Sequence, residues 1–311
     1  MRTSLLALFA AFVASPASAA LLLYDGFDYP TPGSLSGNTN VAASQTWTTS
    51  STGGVPPTIT GGSLSYAGLP ASTGNSVLHS RTATGLSRIN LPGGPYASGS
   101  MYYSLIISLN DIAAISGTAS AAGSFLAGFN NGTGTDSTGQ ALDQAGQLTI
   151  RRLPLSPSGA STTRFQLGVG KNNGGTSTRV WAPQDFGVGD VILAVVSYEF
   201  VAGGDSNDVA QLWLNPVPGA AMPAASATAT AGFDIAAPGA GFSDRPTQMD
   251  LRSFYVRNNS VQSGNARVDE LRIGTTFADV TPPIPEPATL GLFACGAALV
   301  VAARRRCGGG R

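Results

Sequence analysis

The chain has 311 residues, with 17 basic and 17 acidic side chains, and only 11% of it is charged, against roughly 25% in an ordinary globular protein. Setting aside Arg2, Arg304, Arg305, Arg306 and Arg311 leaves 12 basic residues, and setting aside Glu286 leaves 16 acidic ones, so the stretch 20–284 carries a net charge near −4. That excludes the basic footprint a nucleic-acid partner requires. Both cysteines, Cys295 and Cys307, sit close to the C-terminus, which excludes a disulfide or thiolate metal site in everything before them.

The N-terminus carries Arg2, the apolar run Leu5 to Val13 and then Ala17-Ser18-Ala19. This is the layout of a secretory signal peptide, with an apolar segment too short to span a bilayer. The expected signal is residues 1–19, with Ala17, Ala19 and Ala20 around the signal-peptidase site and the general secretion machinery as the route out of the cell. The chain is expected to be exported.

From Ala20 to about Pro282 the sequence is a succession of short β-branched, aromatic and aliphatic runs separated by Gly, Asn, Asp and Pro, the texture of strands and turns. The strongest runs are Met101–Leu109, Ser124–Phe129, Gln147–Leu153, Arg164–Val169, Val191–Phe200, Val209–Leu214, Met249–Val256 and Arg267–Ile273. Arg164–Val169 alternates polar and apolar, so one face meets a core. Val191–Val196 is nearly all apolar and is expected to be a central strand covered on both sides. Between Phe200 and Val209 the turn formers predict a hairpin. Leu109–Ile115 could form one turn of helix, and Pro218–Gly232 reads as a low-complexity surface loop. With no long amphipathic helix, the expectation is one all-β domain over 20–282, an antiparallel sandwich of jelly-roll type.

The opening Tyr24-Asp25-Gly26-Phe27-Asp28-Tyr29, the pair VILAVVSYEF and DVAQLWLNP, and the closing ARVDELRIGTTFADVTP resemble the concanavalin A/laminin-G-like ectodomains. The resemblance implies a jelly roll whose final strand pairs near the first, bringing Asp269 and Leu271 close to Asp25–Asp28. It also implies a loose tendency to bind glycans.

At the other end, Pro285-Glu286-Pro287-Ala288-Thr289, the uncharged stretch 288–303 and Arg304, Arg305 and Arg306 follow in order. Sixteen residues rise about 24 Å as a helix, short of a ~30 Å hydrocarbon core but within what snorkelling arginines and local thinning accommodate. A single span at 288–303 with the basic tail 304–311 inside leaves the sandwich outside. The segment 283–311 resembles the PEP-CTERM sorting signal. That resemblance implies an exosortase partner, with Pro285, Glu286 and Pro287 as substrate residues. The precursor is then expected to be anchored in the inner membrane before passing to the cell surface or extracellular matrix.

The inventory of catalytic groups is thin. A retaining glycosidase needs two carboxyl groups about 5–5.5 Å apart on one face. The exported part has two glutamates, Glu199 and Glu270, and neither has a carboxylate two residues away. Asp269 and Glu270 are adjacent, so they are expected to point to opposite faces, Asp269 as a structural acceptor. The single histidine, His79, lacks a partner motif, and no Gly-x-Ser-x-Gly elbow occurs. No catalytic residue is assigned, and the domain is expected not to be an enzyme. A secreted polysaccharide hydrolase is the remote alternative and a lectin-like module the nearer one. For a cofactor the expectation is none, with calcium at Asp205, Asn207 and Asp208 as a weak candidate, aided by Asp25 and Asp28. Trp47, Trp181, Trp213 and the pair Tyr102-Tyr103 are the available aromatic platforms for a polysaccharide; Trp213 should face opposite to Leu212 and Leu214.

Overall fold

The structure is a computed structural model and describes residues 21–49, 54–80, 84–113, 115, 123–133, 144–155, 159–172, 179–203, 206–231, 250–258 and 265–284. The expected signal peptide, the sorting segment from Pro285 onward and Asp205 lie outside the described residues. In chain order the strands are β1 (Leu21–Asp25), β2 (Gly33–Ser34), β3 (Thr39–Asn40), β4 (Gln45–Thr46), β5 (Thr48–Thr49) and β6 (Thr58–Thr60). There follow β7 (Ser76–Leu78), β8 (Gly85–Asn90), β9 (Gly99–Leu109), β10 (Ser124–Asn130), β11 (Gln144–Leu155) and β12 (Gly159–Asn172). The last are β13 (Arg179–Gly187), β14 (Val191–Phe200), β15 (Val209–Leu214), β16 (Ala227–Ala229), β17 (Ser253–Asn258) and β18 (Ala266–Gly274). One short helix, α1 (Phe277–Val280), is closed by a capping box in which Thr276 and Asp279 bond each other's backbone N–H.

All eight expected runs are strands, each within a few residues of the range read from sequence. One sheet has nine strands in the order β16-β15-β14-β9-β18-β7-β6-β2, with β1 also on β18. The second has seven, β13-β12-β11-β10-β17-β8-β5, and every pairing is antiparallel. The expected all-β antiparallel sandwich is therefore what the chain forms. Pro218–Gly232 needs one correction: Ala227–Ala229 leaves the loop to pair with β15 as an edge strand. Beyond Leu109 the chain makes a turn closed by Ile115 N–H on the Ile112 carbonyl at 3.0 Å.

Alternation explains the core. Leu148, Ile150, Leu167, Val169, Phe129, Phe254 and Ile89 of the seven-stranded sheet face Tyr103, Leu105, Ile107, Ala194 and Val196 of the other. Tyr103 is fully buried among Phe129 and Phe254, with ring centroids 5.2 and 5.0 Å away. Its hydroxyl crosses the sandwich to donate to the Gly146 carbonyl at 2.8 Å, so this buried polar atom is satisfied. As expected, Trp213 points opposite to Leu212 and Leu214. It packs on the outer face of the nine-stranded sheet with Leu64, Leu69, Ile106, Leu193, Val195, Phe277 and Val280, a second small core.

The hairpin between β14 and β15 is tied at its base by Asp208. One carboxylate oxygen accepts from the Tyr198 hydroxyl at 2.7 Å and the other from Val201 N–H at 2.8 Å. Asp208→Ala would leave a buried hydroxyl without this acceptor and is expected to cost about 1–3 kcal/mol. Urea unfolding of the isolated exported domain checks this, and an unchanged midpoint would show the tie to be idle.

Candidate site on the outer face of the seven-stranded sheet

Several side chains singled out from sequence serve the frame. Asp25 is buried, accepting from Phe27 N–H at 2.8 Å, the Tyr29 hydroxyl at 2.6 Å and Trp47 Nε1 at 2.9 Å. Asp28 beside it is exposed. The pairing of β18 with β1 sets Leu271 opposite Asp25, as the resemblance implied. Asp269 and Glu270 do diverge. Asp269 accepts from Leu64 N–H at 2.6 Å, whereas Glu270 pairs with Arg272 at 2.7 Å and accepts from the Tyr24 hydroxyl at 3.0 Å. Glu270 has φ +54°, a left-handed residue within a strand, at the point where the pairing of β18 with β9 shifts register. Burial pushes the Asp269 carboxyl up to about 8, so this acid is a protonatable structural anchor. Glu199 is exposed.

Of the calcium candidates, Asp208 is committed to the hairpin and Asn207 donates to the Ala202 carbonyl at 3.1 Å. Among the described residues no group of three or more His, Cys, Asp or Glu side chains could hold a metal ion. Trp47 and Tyr103 are core residues, and Trp213 is sealed against Pro223, whose carbonyl accepts from its Nε1 at 2.9 Å. Tyr102 packs on Trp213 with centroids 6.1 Å apart. Of the aromatic platforms named from sequence, Trp181 is the one left facing away from both cores.

Trp181 lies in a cross-strand row with Gly168, Thr149 and Phe125 on β12, β11 and β10. The next row is Arg179, Gly170 and Gln147, and the row beyond Thr149 is Asp185, Gln166 and Arg151. A further row across β10, β17 and β8 is Gly128, Tyr255 and Arg88. All project from the outer face of the sheet, because their neighbours Leu148, Ile150, Leu167, Val169 and Phe254 fill the core. The glycines are required here. A Cβ on Gly168 would sit 2.7 Å from the Trp181 ring, and one on Gly170 3.1 Å from Gln147 Oε1, so the sheet floor stays bare under the larger side chains.

Cations and rings interleave on this face. The Arg151 guanidinium lies 4.5 Å above the Trp181 ring and is held by Gln166 Oε1 at 2.7 and 3.0 Å. Arg257 lies 4.0 Å and Arg179 5.8 Å from the centre of the Phe125 ring, which meets Tyr255 edge-on at 6.3 Å. Burial lowers the pKa of all three arginines, since a partly desolvated cation prefers to lose its charge. Three other arginines have carboxylate partners, Arg164 with Asp185, Arg252 with Asp250 and Arg272 with Glu270, each at 2.7 Å, and Arg267 is held by Ser76 and the Gly62 carbonyl. Arg151, Arg179 and Arg257 have no carboxylate partner among the described residues. Beneath them Gln147 donates to Gln144 Oε1 at 2.5 Å, and Tyr255 donates to the same oxygen at 3.3 Å. Gln147 Oε1, Thr149 Oγ1 and Arg179 Nε are buried without a partner. The face thus carries unneutralised cations and aromatic surface above fully buried amide and hydroxyl groups with bonding capacity to spare.

The comparisons bear on the two ends of this description separately. Residues 283–306 match the PEP-CTERM protein-sorting motif. The chain carries a PEP-CTERM sorting signal. Comparison with curated proteins gives no match. Among solved structures, similar folds include an alginate lyase Aly36B mutant in complex with alginate tetrasaccharide, at 11% identity and TM-score 0.44, covering 85% of this chain and 98% of that one. An endo-β-1,4-glucuronan lyase from the fungus Trichoderma reesei follows at 14% identity and TM-score 0.39, covering 86% and 100%. The lectin UEA-II complexed with galactose follows at 11% and 0.36, covering 82% and 99%. At these identities and TM-scores the likeness assigns no role to this chain, and its antiparallel β-sandwich rests on its own strand pairings. The motif implies export and processing by an exosortase. Among the described residues no helix is long and apolar enough to cross a membrane, and the stretch 288–303 lies outside them.

His79 is no base. It is fully buried at the end of β7, with Nδ1 bonded to the Arg257 carbonyl at 2.7 Å, and burial lowers its pKa to about 4 from 6.5. The carbonyl can only accept, so the neutral ring carries its proton on Nδ1. Between these two pKa values the unfolded chain binds a proton that the folded one refuses. This contribution to stability is complete above pH 6.5 and is lost as pH falls through about 4. Denaturant titrations should show wild type losing up to about 1.4 kcal/mol per pH unit across this window relative to His79→Gln. Parallel curves would exclude a neutral buried imidazole.

Proposed function

We propose that this PEP-CTERM protein is an exosortase-sorted surface or matrix protein whose sandwich binds extracellular polysaccharide, without catalysis, on the outer face of the seven-stranded sheet. The preferred ligand bears carboxylates. The observation that carries this reading is the set Arg151, Arg179 and Arg257, partly buried, stacked on Trp181 and Phe125, and lacking acidic partners among the described residues. Partial burial of a cation costs energy that an incoming carboxylate returns through charge-assisted bonds of about 1.5–3 kcal/mol. Sugar rings have apolar faces that suit Trp181 and Phe125, and the partly exposed Gln166 supplies a further polar contact. The absence of catalysis is supported by the positions of Asp269 and Glu270, both buried and bonded within the frame.

The test is calorimetry of the exported domain with a polyuronate and a neutral glucan, each in calcium and in chelator so that the turn at Asn207 and Asp208 is tested too. The polyuronate should bind more tightly, and more weakly as salt rises. Arg179→Gln with Arg257→Gln is expected to weaken polyuronate binding about tenfold or more, equivalent to ~1.4 kcal/mol, while leaving the glucan unchanged. Equal binding by wild type and variant rejects the site. Falling polymer viscosity would show turnover and reject the non-catalytic reading.

For sorting, replacing Pro285, Glu286 and Pro287 by alanine should leave membrane insertion intact, because the apolar stretch 288–303 is unchanged. It should block release, because the extended, helix-breaking segment is gone. C-terminal peptide mapping of surface protein checks this; a wild-type chain that keeps Leu290–Arg306 at the surface defeats the reading.

A further inference from the structure

The place where the chain leaves the sandwich is apolar, exposed and without charge. From Asn215 to Ser226 the sequence holds no ionisable side chain, and residues 219–224, Gly-Ala-Ala-Met-Pro-Ala, are all exposed. Val217 is 70% exposed, Met222 51% and Ile284 55%, three of the ten exposed large apolar residues among the described ones, gathered at one rim. Backbone bonds hold this rim together. Gly219 N–H donates to the Thr281 carbonyl at 2.8 Å, and Ile284 N–H to the Gly68 carbonyl at 3.2 Å. A Cβ on Gly219 would lie 2.6 Å from Pro283, and one on Gly68 3.1 Å from Pro218. Of the two carboxylates that flank Pro283 and Ile284 in sequence, Asp279 is buried and accepts from Thr275 and Thr276 N–H at 2.9 and 2.8 Å, and Glu286 belongs to the sorting segment.

Chain length says what covers the rim. Ile284 is fixed to the sandwich, and the uncharged stretch begins at Ala288. Four peptide steps reach at most about 14 Å when fully extended. The headgroup layer on each side of the ~30 Å hydrocarbon core is itself several Å deep. A domain tethered so closely cannot stand away from the bilayer, and the part at the tether is this rim. A domain with net charge near −4 is repelled by anionic lipid, and the rim segments 215–226 and 280–284 contain no acidic residue.

We propose that the rim formed by Val217, Gly219–Ala224, Pro283 and Ile284 docks on the lipid surface in the precursor, fixing the sandwich against the membrane with Pro285–Pro287 between them. This rests on the reading of 288–303 as a membrane span. Docking orients the seven-stranded sheet relative to the cell surface and confines the sorting residues to the interface where an exosortase works.

The experiment uses the full-length precursor in phosphatidylethanolamine/phosphatidylglycerol vesicles carrying a nitroxide-headgroup lipid. A polarity-sensitive fluorophore is placed at Met222→Cys, at Val217→Cys or at Val55→Cys, with Cys295 and Cys307 replaced by serine. Val55 lies between β5 and β6 and donates its N–H to the Thr84 carbonyl just before β8, at the edge of the sandwich away from β16. A fourth sample is labelled at native Cys295, with Cys307 alone replaced. Labels at positions 217 and 222 should be blue-shifted and quenched several-fold more than the label at position 55. Quenching at Cys295 with positions 217 and 222 no different from position 55 overturns docking and leaves the span standing. A Cys295 label that is also unquenched overturns both. Equal quenching at all three rim and control positions shows nonspecific adsorption and likewise overturns the proposal.

Discussion

β18 lies between β9 on one side and β1 and β7 on the other, so the nine-stranded sheet is continuous only through residues 266–274. Its two halves do different work. Arg267 and Val268 pair with β7, Leu271 to Gly274 with β1, and between them Glu270 takes a left-handed backbone. That local kink turns Asp269 toward Leu64 and Glu270 toward Tyr24 and Arg272, each in a hydrogen-bonded setting. A buried ion pair gives little net stability, but breaking one side leaves an uncompensated charge. The adjacent acids, whose spacing in sequence argues against a catalytic pair, are the fastening of the last strand.

The two sheets treat their outer faces differently. That of the nine-stranded sheet is closed by apolar side chains from the loop at Leu64 and Leu69 and from α1, which cover Trp213, Ile106 and Val195. The other carries glycines, amides, rings and guanidinium groups. Burying polar atoms without partners is unfavourable, and a fold selected for stability alone would place apolar residues over Gly168 and Gly170. The polar face, with its unmatched atoms at Gln147, Thr149 and Arg179, gives up local stability on the surface where polysaccharide binding is proposed.

Strands whose period was clean were legible in the sequence: β14 and β15 are found at the boundaries read for them, and the turn between them follows from its Gly, Asp and Asn. β8 and β13 were not. Gly85-Leu86-Ser87-Arg88-Ile89-Asn90 buries Ser87 and Arg88 fully, so burial there does not track hydrophobicity. Arg179–Gly187 contains Pro183, which reads as a strand breaker; it is tolerated because β13 is an edge strand with a free side. The candidate site had a signal that went unread. Gln147, Thr149 and Arg151, then Arg179 and Trp181, then Tyr255 and Arg257, occupy the polar phase of alternating strands. Only the register shows that these phases meet on one surface.

The position of β18 also bears on how the protein leaves the cell. The strand that completes the larger sheet is the last to be synthesised, and until it arrives β9 has an open edge and β1 has no partner. Pairing the chain's first strand with its last closes a loop of about 250 residues, a contact that forms late and slowly. Until residues 266–274 have been made, the larger sheet has no strand to join β9 to β1 and β7, so its closure waits for the end of the chain.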